Sequence, residues 1–394
     1  MPIKFGLDVF LDHFPSALNG KRIGVVCHAA SINQRYEHIV DLLANRKECR
    51  LTAIFGPQHG LFGQTQDNMI EWEGAMHPLL GIPIYSLYGT NRKPVPAMLR
   101  QIDALVIDLQ DVGARPYTYI WTVKLCIEAC AEAGIGVWIL DRPNPIAALD
   151  FDGPMLDPEY FTFVGGAEIP LCHRMTMAEM ALLIKQTYYP AAELHCISMD
   201  GWWRDSLFNE TGLPWVLPSP NMPTLEAAVV YPGMVLLEAT NMSEGRGTSR
   251  PFEIIGAPFV NILELRSDFA GAGLGGCLIR EHGFIPTFNK WHGIFCNGIQ
   301  LHVTDPRAFK PVAATAAIVR SILVHSAGEF QFKSPPYEYE MIKMPFDILA
   351  GSSSMRIALE QGAPLDQMAA SWRAAHDSFK SILDSVSLYP ETRP

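Results

Sequence analysis

The sequence has no apolar segment long enough to cross a membrane and no recognisable secretory leader. Its beginning, MPIKFGLDVFLDHF, holds no long apolar run followed by small residues at a cleavage point. We therefore expect a cytoplasmic location, or an extracytoplasmic one if a leader has been removed. A basic surplus is also lacking, since 30 basic residues stand against 41 acidic ones and give a net charge of −11. This balance disfavours nucleic acid and membranes as partners and favours a small-molecule or oligosaccharide substrate.

The motifs of the common cofactor and metal sites are missing as well. The first predicted strand is followed by HAASINQ rather than GxGxxG, and no GxxxxGK[ST] occurs, so no nucleotide cofactor is expected. The eight cysteines are scattered singly through apolar runs without CxxC pairs. We expect them to be reduced core residues, and we predict no metal site. A Ser-His-Asp nucleophile elbow is not visible either.

What the sequence does contain is a regular alternation of strand and helix patterns over its first half. Six strands are predicted, and the helices between them are ten or more residues long at 118–133 and 175–188. This alternation indicates parallel pairing with right-handed crossovers. We therefore predict an α/β fold with a Rossmann-like, doubly wound parallel sheet in residues 1–200. Residues 201–394 are predicted to form a second α/β domain, with an interdomain cleft as the ligand site.

The fourth predicted strand ends in a polar loop, DLQDVGARPYTY. Ligands of open α/β sheets bind outside the carboxyl ends of the strands, so these side chains are expected to face a ligand. Asp111 is a candidate base, stabilising carboxylate or hydroxyl acceptor, and Arg115, Tyr117 and Tyr119 are candidate binding residues. Asp108 lies one residue inside the strand and is predicted to be a structural partner. The alternative is a loop that satisfies its own backbone, with Arg115 paired to one of the aspartates.

The second predicted strand runs into Gly-Pro-Gln-His-Gly. The glycines let the backbone come close to a ligand, so His59 is a candidate catalytic residue unless it only caps the loop. Gln58 can donate and accept hydrogen bonds but exchanges no proton near neutral pH, so we expect it to position a ligand at most. Glu71 follows in a segment that is able to fold over the site. Taken alone, it is more simply interpreted as a solvated acid.

Three further motifs carry polar residues suited to a sugar. In DRPNP, Asp141 and Asn144 are held rigid between prolines and suit the recognition of a polyol, although a turn pair with Arg142 is the alternative. SPNMPT offers Asn221 between two prolines. The densest polar motif of the second half is NMSEGRGT, which is described next.

NMSEGRGT places Glu244 between a serine and a glycine, with Arg246 and Asn241 close by in the chain. Among the acids of the sequence, Glu244 is our first candidate for a general acid or base. Asn241 and Arg246 are candidate binding residues. A plain Glu–Arg latch that only holds the loop is the alternative interpretation.

Taken together, these segments resemble the YbbC family, whose characterised members are exo-β-N-acetylmuramidases of the NamZ type. The motifs DLQDVGARPYTY, DRPNP, SPNMPT, YPGMVLLEATNMSEGRGTSRPFEIIGAP and MPFDILAG match its pattern in order, over nearly the whole chain. The resemblance implies a Rossmann-like domain, a second α/β domain and a site in the cleft between them. It also implies release of N-acetylmuramic acid from the non-reducing ends of peptidoglycan fragments, which a cytoplasmic member would receive by import or recycling.

One position departs from the family pattern. The family loop commonly reads Gly-Pro-Glu-His-Gly, and its glutamate is a proposed catalytic residue, whereas this chain has Gln58. An amide cannot act as a general acid. Two expectations follow from the resemblance: another carboxylate (Glu71, Asp111 or Glu244) has taken the role, or the chain is a non-catalytic or retuned sugar or muropeptide binder.

Glycosidic cleavage normally needs one carboxyl group to protonate the leaving oxygen and a second to act as nucleophile or to activate water. Our sequence-based pair is Glu244 with Asp111. Attack by the substrate's own acetamido oxygen would need one acid and an orienting group, for which the candidates are Asp111, His59 and Tyr117. Given the resemblance, Arg115 or Arg246 is expected to bind the lactyl carboxylate of muramic acid.

Overall fold

The computed structural model describes residues 3–67 and 69–393, which hold three β-sheets and the helices that cover them. The strands are β1 Arg22–Cys27, β2 Arg50–Gly56, β3 Ala75–Met76, β4 Pro83–Ser86, β5 Ala104–Asp108, β6 Gly136–Leu140, β7 Asp152–Met155, β8 Pro170–Cys172, β9 Leu194–Ile197, β10 Ile254–Ala257, β11 Cys277–Glu281 and β12 Asn297–Val303.

The α-helices are α1 Gly6–Asp12, α2 Ile39–Ala44, α3 Pro96–Leu99, α4 Tyr119–Ala133, α5 Met177–Tyr188, α6 Leu225–Met234, α7 Ile262–Gly271, α8 Pro311–His325, α9 Pro345–Ala350, α10 Ser354–Glu360 and α11 Leu365–Val386. Short 3₁₀ helices lie at Ser16–Leu18, Pro158–Tyr160, Phe208–Glu210 and Val235–Ala239. Within the described ranges, no helix combines the length and the apolarity that a membrane span needs.

The central sheet has seven strands in the order β3-β4-β2-β1-β5-β6-β9. All neighbours pair in parallel except β3, which runs antiparallel to β4 at one edge. The predicted α/β fold with a Rossmann-like, doubly wound sheet is confirmed. Strand β5 is buried along its whole length, as expected for a parallel strand with helices on both faces of its sheet.

The strand order reverses between β1 and β5, so the topological switch point of the sheet lies at the carboxyl ends of these two strands. The chain fills this point with its own polar side chains. Ser31 Oγ donates a hydrogen bond to the backbone carbonyl of Asp108 at 2.5 Å and lies 3.0 Å from Nδ1 of His28. Asp108 itself forms a buried ion pair with Arg142, at 2.5 Å from its Nε. The loops beyond the switch point are thereby fixed in place.

The second half of the chain builds a three-stranded antiparallel sheet in the order β10-β12-β11, against which α6 and α7 pack. Helix α11 then returns to the first half and packs on α5 and β7. One continuous cluster of buried apolar residues joins the halves, from Ile139 in β6 to Ile318 in α8. The domain boundary predicted at residue 200 stays a prediction.

Candidate active site

A narrow cavity lies where the loops after β2 and β5 meet the second half of the chain. Its volume is about 30 Å³. The lining residues come from both halves: Gln58, His59, Pro116, Tyr117, Thr118, Tyr119, Val164, Ser219, Asn221, Met222, Tyr231, Glu238, Arg246, Phe252, Tyr337 and Glu338. The position agrees with the rule that ligands of open α/β sheets bind beyond the carboxyl ends of the strands.

His59 is held in a fixed orientation on the loop after β2. Its backbone has φ 70°, a left-handed conformation uncommon for residues other than glycine. Its Nδ1 lies 2.7 Å from the carbonyl oxygen of Thr65, and because a carbonyl only accepts, Nδ1 carries the hydrogen. Burial lowers the pKa of His59 to about 4. The imidazole is therefore neutral near pH 7, with an unprotonated Nε2.

Gln58 connects Thr118 to Glu338 inside the cavity. The Thr118 hydroxyl donates to Oε1 of Gln58 at 2.6 Å, which leaves the amide hydrogens of Gln58 to bond the Glu338 carboxyl group. Tyr88 donates a further hydrogen bond to Glu338 Oε2 at 2.9 Å. Glu338 is only 4% exposed, and burial raises the pKa of its carboxyl group to about 7 despite these two donors. It can therefore be a neutral acid at physiological pH.

A second carboxylate, Glu238, lines the same cavity. It accepts from Nη2 of Arg246 at 2.6 Å and from the Tyr337 hydroxyl at 2.8 Å. A charge-assisted bond to a guanidinium is among the stronger hydrogen bonds in proteins. The cavity thus presents two buried carboxyl groups in different electrostatic surroundings, which is the arrangement that assigns different acid–base roles to two acids.

Glu244 lies outside the cavity lining, within a buried ion-pair cluster. It is 2.5 Å from Nζ of Lys290 and 3.2 Å from Nε of Arg246. Burial opposes its ionisation, but the charges of Lys290 and Arg246 outweigh burial and lower the pKa of Glu244. These contacts are those of the alternative interpretation, a latch that holds the loop.

The sequence-based candidates divide into two groups. Those that line the cavity are Gln58, His59, Tyr117, Tyr119, Asn221 and Arg246. Those outside its lining are Glu244, Asp111, Glu71, Arg115, Asp141, Asn144 and Asn241. In the first group, Gln58, His59, Tyr117 and Tyr119 were predicted from the loops after β2 and β5, whereas Asn221 and Arg246 were predicted from polar motifs of the second half.

Asp111 lies behind the cavity. Its Oδ2 accepts from the backbone N–H of Gly113 at 2.7 Å and lies 3.7 Å from Nε2 of His173. Burial raises the pKa of Asp111 to about 7, while burial lowers that of His173 to about 3. Because the Asp111 carboxyl group does not reach the cavity surface, we give it no catalytic step below.

Arg115, Asp141, Asn144 and Asn241 make contacts within the protein. Arg115 is 0% exposed and donates to the carbonyl oxygens of Pro154, Ile169 and Leu349. A buried guanidinium bonded in this way stabilises the junction of the two halves rather than a ligand, so we assign it no substrate contact.

The other three candidates also bond backbone or buried side chains. Asp141 accepts from Tyr389 and from the N–H of Ala178, and Asn144 donates to the carbonyl of Met175. Asn241 donates to the carbonyl of Glu329. These are loop-fixing contacts.

Glu71 accepts a hydrogen bond from the Tyr339 hydroxyl at 3.0 Å. It therefore contacts the residue that follows Glu338 in the chain. A catalytic role for Glu71 stays a prediction.

Sequence reasoning missed both acids of the cavity, Glu238 and Glu338. A signal for Glu338 was present, because the segment PPYEYE puts an acid between two tyrosines after two prolines. The same combination of acid and tyrosine had singled out the loop after β5. Glu238 lies within an otherwise apolar run, YPGMVLLEA, and carries no comparable signal. Among the described residues, no three His, Cys, Asp or Glu side chains are arranged to hold a metal ion.

Comparison with known proteins agrees with this architecture over almost the whole chain. Residues 23–226 match the family described as exo-β-N-acetylmuramidase NamZ, N-terminal, and residues 229–389 match the corresponding C-terminal family. Peptidoglycan β-N-acetylmuramidase NamZ of Bacillus subtilis (strain 168) is 40% identical over 387 residues, which cover 98% of this chain and 91% of that protein.

Two crystal structures of DUF1343 family proteins from Bacteroides fragilis NCTC 9343 are similar to this fold. One has a TM-score of 0.87 at 28% identity, covering 98% of this chain and 99% of the other. The second has a TM-score of 0.78 at 27% identity and covers both chains completely. On the two family matches and the Bacillus relative, the chain belongs to the exo-β-N-acetylmuramidase NamZ family.

Proposed function

We propose that this protein is a glycoside hydrolase that releases N-acetylmuramic acid from the non-reducing end of peptidoglycan fragments. Family membership supports the substrate, because the Bacillus relative is a peptidoglycan β-N-acetylmuramidase. The observation that carries the chemistry is Glu338, a buried carboxyl group whose pKa is raised to about 7, in one cavity with Glu238. Two carboxyl groups at one site are what glycosidic cleavage normally requires.

Glu338 is the general acid of this proposal. It transfers its proton to the oxygen between the two sugars while the bond from that oxygen to the anomeric carbon breaks, so the leaving sugar departs with a hydroxyl group. Glu238, ion-paired with Arg246 at 2.6 Å, stabilises the positive charge that develops on the ring. Water completes the hydrolysis, with its oxygen joining the anomeric carbon and its proton restoring a neutral carboxyl group.

The shape of the cavity supports action at a chain end. The cavity is narrow, with a volume of about 30 Å³, whereas pockets for small-molecule ligands are about 300–1,000 Å³. Substrate binding must therefore widen it. Tyr117 and Tyr231 both line the cavity in edge-to-face contact, with ring centroids 5.7 Å apart, and in this proposal the pair blocks continuation of the saccharide beyond the bound ring.

The test is release of phenol from phenyl β-N-acetylmuraminide, measured beside phenyl β-N-acetylglucosaminide, because phenolate is a poor leaving group that needs protonation. We expect the wild type to hydrolyse the muraminide selectively. Glu338→Gln keeps the size of the side chain and one oxygen that accepts hydrogen bonds but has no acidic proton to transfer, so we expect kcat to fall by about 100-fold or more. The exposed Glu329 provides a matched control, and Glu329→Gln should retain wild-type activity.

Two outcomes would contradict parts of this proposal. Full activity in a folded Glu338→Gln variant would remove the acid from this position. Saturable binding of N-acetylmuramic acid by a wild type that hydrolyses neither substrate would instead identify a sugar-binding homologue, the alternative raised by Gln58.

We also propose that the reaction takes place in the cytoplasm. All eight cysteines are free, and seven of them are buried, which suits a reducing compartment. Cell fractionation with antibody detection tests this proposal. Recovery of the protein outside the cytoplasmic fraction would overturn it.

A further inference from the structure

A second, larger depression opens beside the narrow cavity and shares a wall with it. This outer groove has a volume of about 430 Å³. Glu338 lines both the cavity and the groove, and the next two residues, Tyr339 and Glu340, continue as the wall of the groove. The general acid of the proposed function thus stands between a small inner site and a large outer one.

Aromatic and charged side chains line the groove in equal numbers, five of each. The aromatic residues are Trp121, Phe161, Phe163, Tyr189 and Tyr339. Flat apolar faces with a few placed polar groups are typical of small-ligand sites, and the apolar faces of a sugar ring pack against aromatic rings. The lining therefore suits a saccharide rather than a polypeptide segment.

Arg92 supplies the polar group that points to a ligand. Its guanidinium carbon lies 3.8 Å from the ring centroid of Tyr339 and 5.7 Å from that of Phe163. Within the described residues, its buried Nη1 has no hydrogen-bond partner. The neighbouring Lys93, by contrast, is paired with Glu128 at 2.7 Å and Glu132 at 2.8 Å. A buried donor without a partner is costly, so a ligand oxygen at Arg92 would stabilise this arrangement.

We propose that the outer groove is the leaving-group subsite and that Arg92 donates a hydrogen bond to the saccharide that departs. This inference rests on the proposed function. A general acid must lie between the sugar that is released and the group that leaves, because it protonates the oxygen that joins them. The narrow cavity takes the terminal sugar, so the open groove takes the remaining saccharide, of any length.

The experiment compares two substrates with the same muraminyl group and different leaving groups. These are phenyl β-N-acetylmuraminide and N-acetylmuramyl-β-1,4-N-acetylglucosamine, with release of N-acetylmuramic acid measured for both. We expect Arg92→Met to lower kcat/KM for the disaccharide by about three- to tenfold, the worth of one hydrogen bond. Activity on the phenyl glycoside, which has no hydroxyl groups to bond, should stay within about twofold of the wild type.

Two further variants make the result specific. Arg92→Lys keeps the positive charge but not the guanidinium, and it should reproduce the leaving-group-dependent loss if Arg92→Met does not fold. The exposed Arg100 is the matched control, and Arg100→Met should change neither activity. An equal loss on both substrates, or a loss on neither, would overturn the subsite.

A wild type that hydrolyses neither substrate would mean that the proposed function fails, and the groove is then tested by binding. Calorimetric titration with N,N′-diacetylchitobiose supports the subsite if the wild type binds and Arg92→Met binds at least about threefold more weakly. Absence of binding to the wild type, or equal binding by both proteins, overturns it. The two proposals can therefore fail separately.

Discussion

The chemistry of this site depends on the surroundings of Glu338. The carboxyl group is removed from water, and its hydrogen-bond donors are two neutral groups, the Tyr88 hydroxyl and the Gln58 amide. Neutral donors stabilise a carboxylate less than a cation does, so burial prevails and the pKa rises to about 7. The Arg246 guanidinium, which would favour ionisation more strongly, is paired with Glu238 at 2.6 Å instead.

The pH dependence of activity follows from this pKa. A general acid works only while protonated, so we expect kcat/KM on phenyl β-N-acetylmuraminide to fall as pH rises through about 7. Gln58→Glu would place a second carboxyl group against Glu338. The two groups would then share one proton, which raises the upper pKa and moves the alkaline limb to higher pH.

The measurement for this prediction is a pH profile of kcat/KM for both proteins. The exposed Gln367 on α11 is the matched control, because Gln367→Glu adds the same charge far from the cavity. An alkaline limb at the same pH in Gln58→Glu and wild type would show that Glu338 does not titrate in the profile.

Residues that follow strands were easier to find from the sequence than residues brought in from elsewhere. Gln58, His59 and Tyr117 follow strands of the parallel sheet, and adjacent parallel strands end at one edge. Glu338 lines the same cavity, although it lies 250 positions after its hydrogen-bond partner Tyr88 in the sequence. No local periodicity encodes such a contact, because it depends on how the second half packs on the first.

At the scale of elements, the loop of residues 243–248 shows why two glycines flank Arg246. Gly245 and Gly247 both have φ 80°, in the left-handed region that disfavours other residues. A side-chain carbon at Gly247 would also lie 2.8 Å from the backbone nitrogen and oxygen of Phe288. The loop therefore needs glycine for conformation and for close approach, and both requirements aim Arg246 at Glu238.

We expect Gly247→Ala to lower the free energy of unfolding more than an alanine substitution whose only cost is a left-handed backbone conformation. Gly273 provides that comparison, since its φ is 67° and a side-chain carbon there would meet nothing within 4 Å. Gly273→Ala should lower the free energy of unfolding by about 1–2 kcal/mol and leave activity unchanged. Gly247→Ala should cost about 3 kcal/mol or more, and should lower kcat/KM because Arg246 moves.

Urea unfolding and muraminide hydrolysis of the two variants check this prediction. Equal destabilisation by both substitutions would mean that Phe288 moves aside at little cost. Wild-type activity in Gly247→Ala would mean that the position of Arg246 does not depend on the loop conformation.

The elements of the first half could be predicted because each carries a strong local pattern. The capping box of α5 is one case, with Thr176 accepting from the N–H of Glu179 and the Glu179 carboxylate accepting in return. The antiparallel sheet of the second half was harder to predict. Strand β10 has four residues, all of them buried, and β11 has only Cys277 buried. Neither shows the alternation that identifies a strand.

At the scale of the whole molecule, the end of the chain closes against the central sheet. After α11, the N–H of Leu388 donates to Glu179 at 3.0 Å, and the Tyr389 hydroxyl donates to Asp141 at 2.6 Å. Asp141 follows β6, and its backbone also bonds Gly6 near the start of the chain. One buried carboxyl group thus lies where the sheet and both ends of the chain meet.

Buried acids and histidines act on stability in opposite directions as pH changes. Burial raises the pKa of Asp111 and Asp141 to about 7, so the folded state keeps protons that the unfolded state releases above about pH 4. Each lowers the free energy of unfolding as pH rises toward 7. Burial lowers the pKa of His28 and His173 to about 3. Each therefore raises the free energy of unfolding as pH rises toward about 6.5. The acids and the histidines therefore change the free energy of unfolding in opposite directions between about pH 4 and about pH 6.5. Above about pH 6.5, only the acids contribute.

A single substitution separates these contributions. Asp141→Asn removes one raised pKa while keeping a polar group of the same shape beside Tyr389. The variant minus wild-type difference in unfolding free energy should therefore increase from about pH 5 to about pH 7, by on the order of 2 kcal/mol. Urea unfolding at both pH values measures it, and Asp377→Asn on the exposed face of α11 should give a difference independent of pH. A difference for Asp141→Asn that stays constant or decreases would mean that this carboxyl group is ionised in the folded protein. The closure of the chain would then depend on a buried charge rather than on a neutral hydrogen-bonded acid.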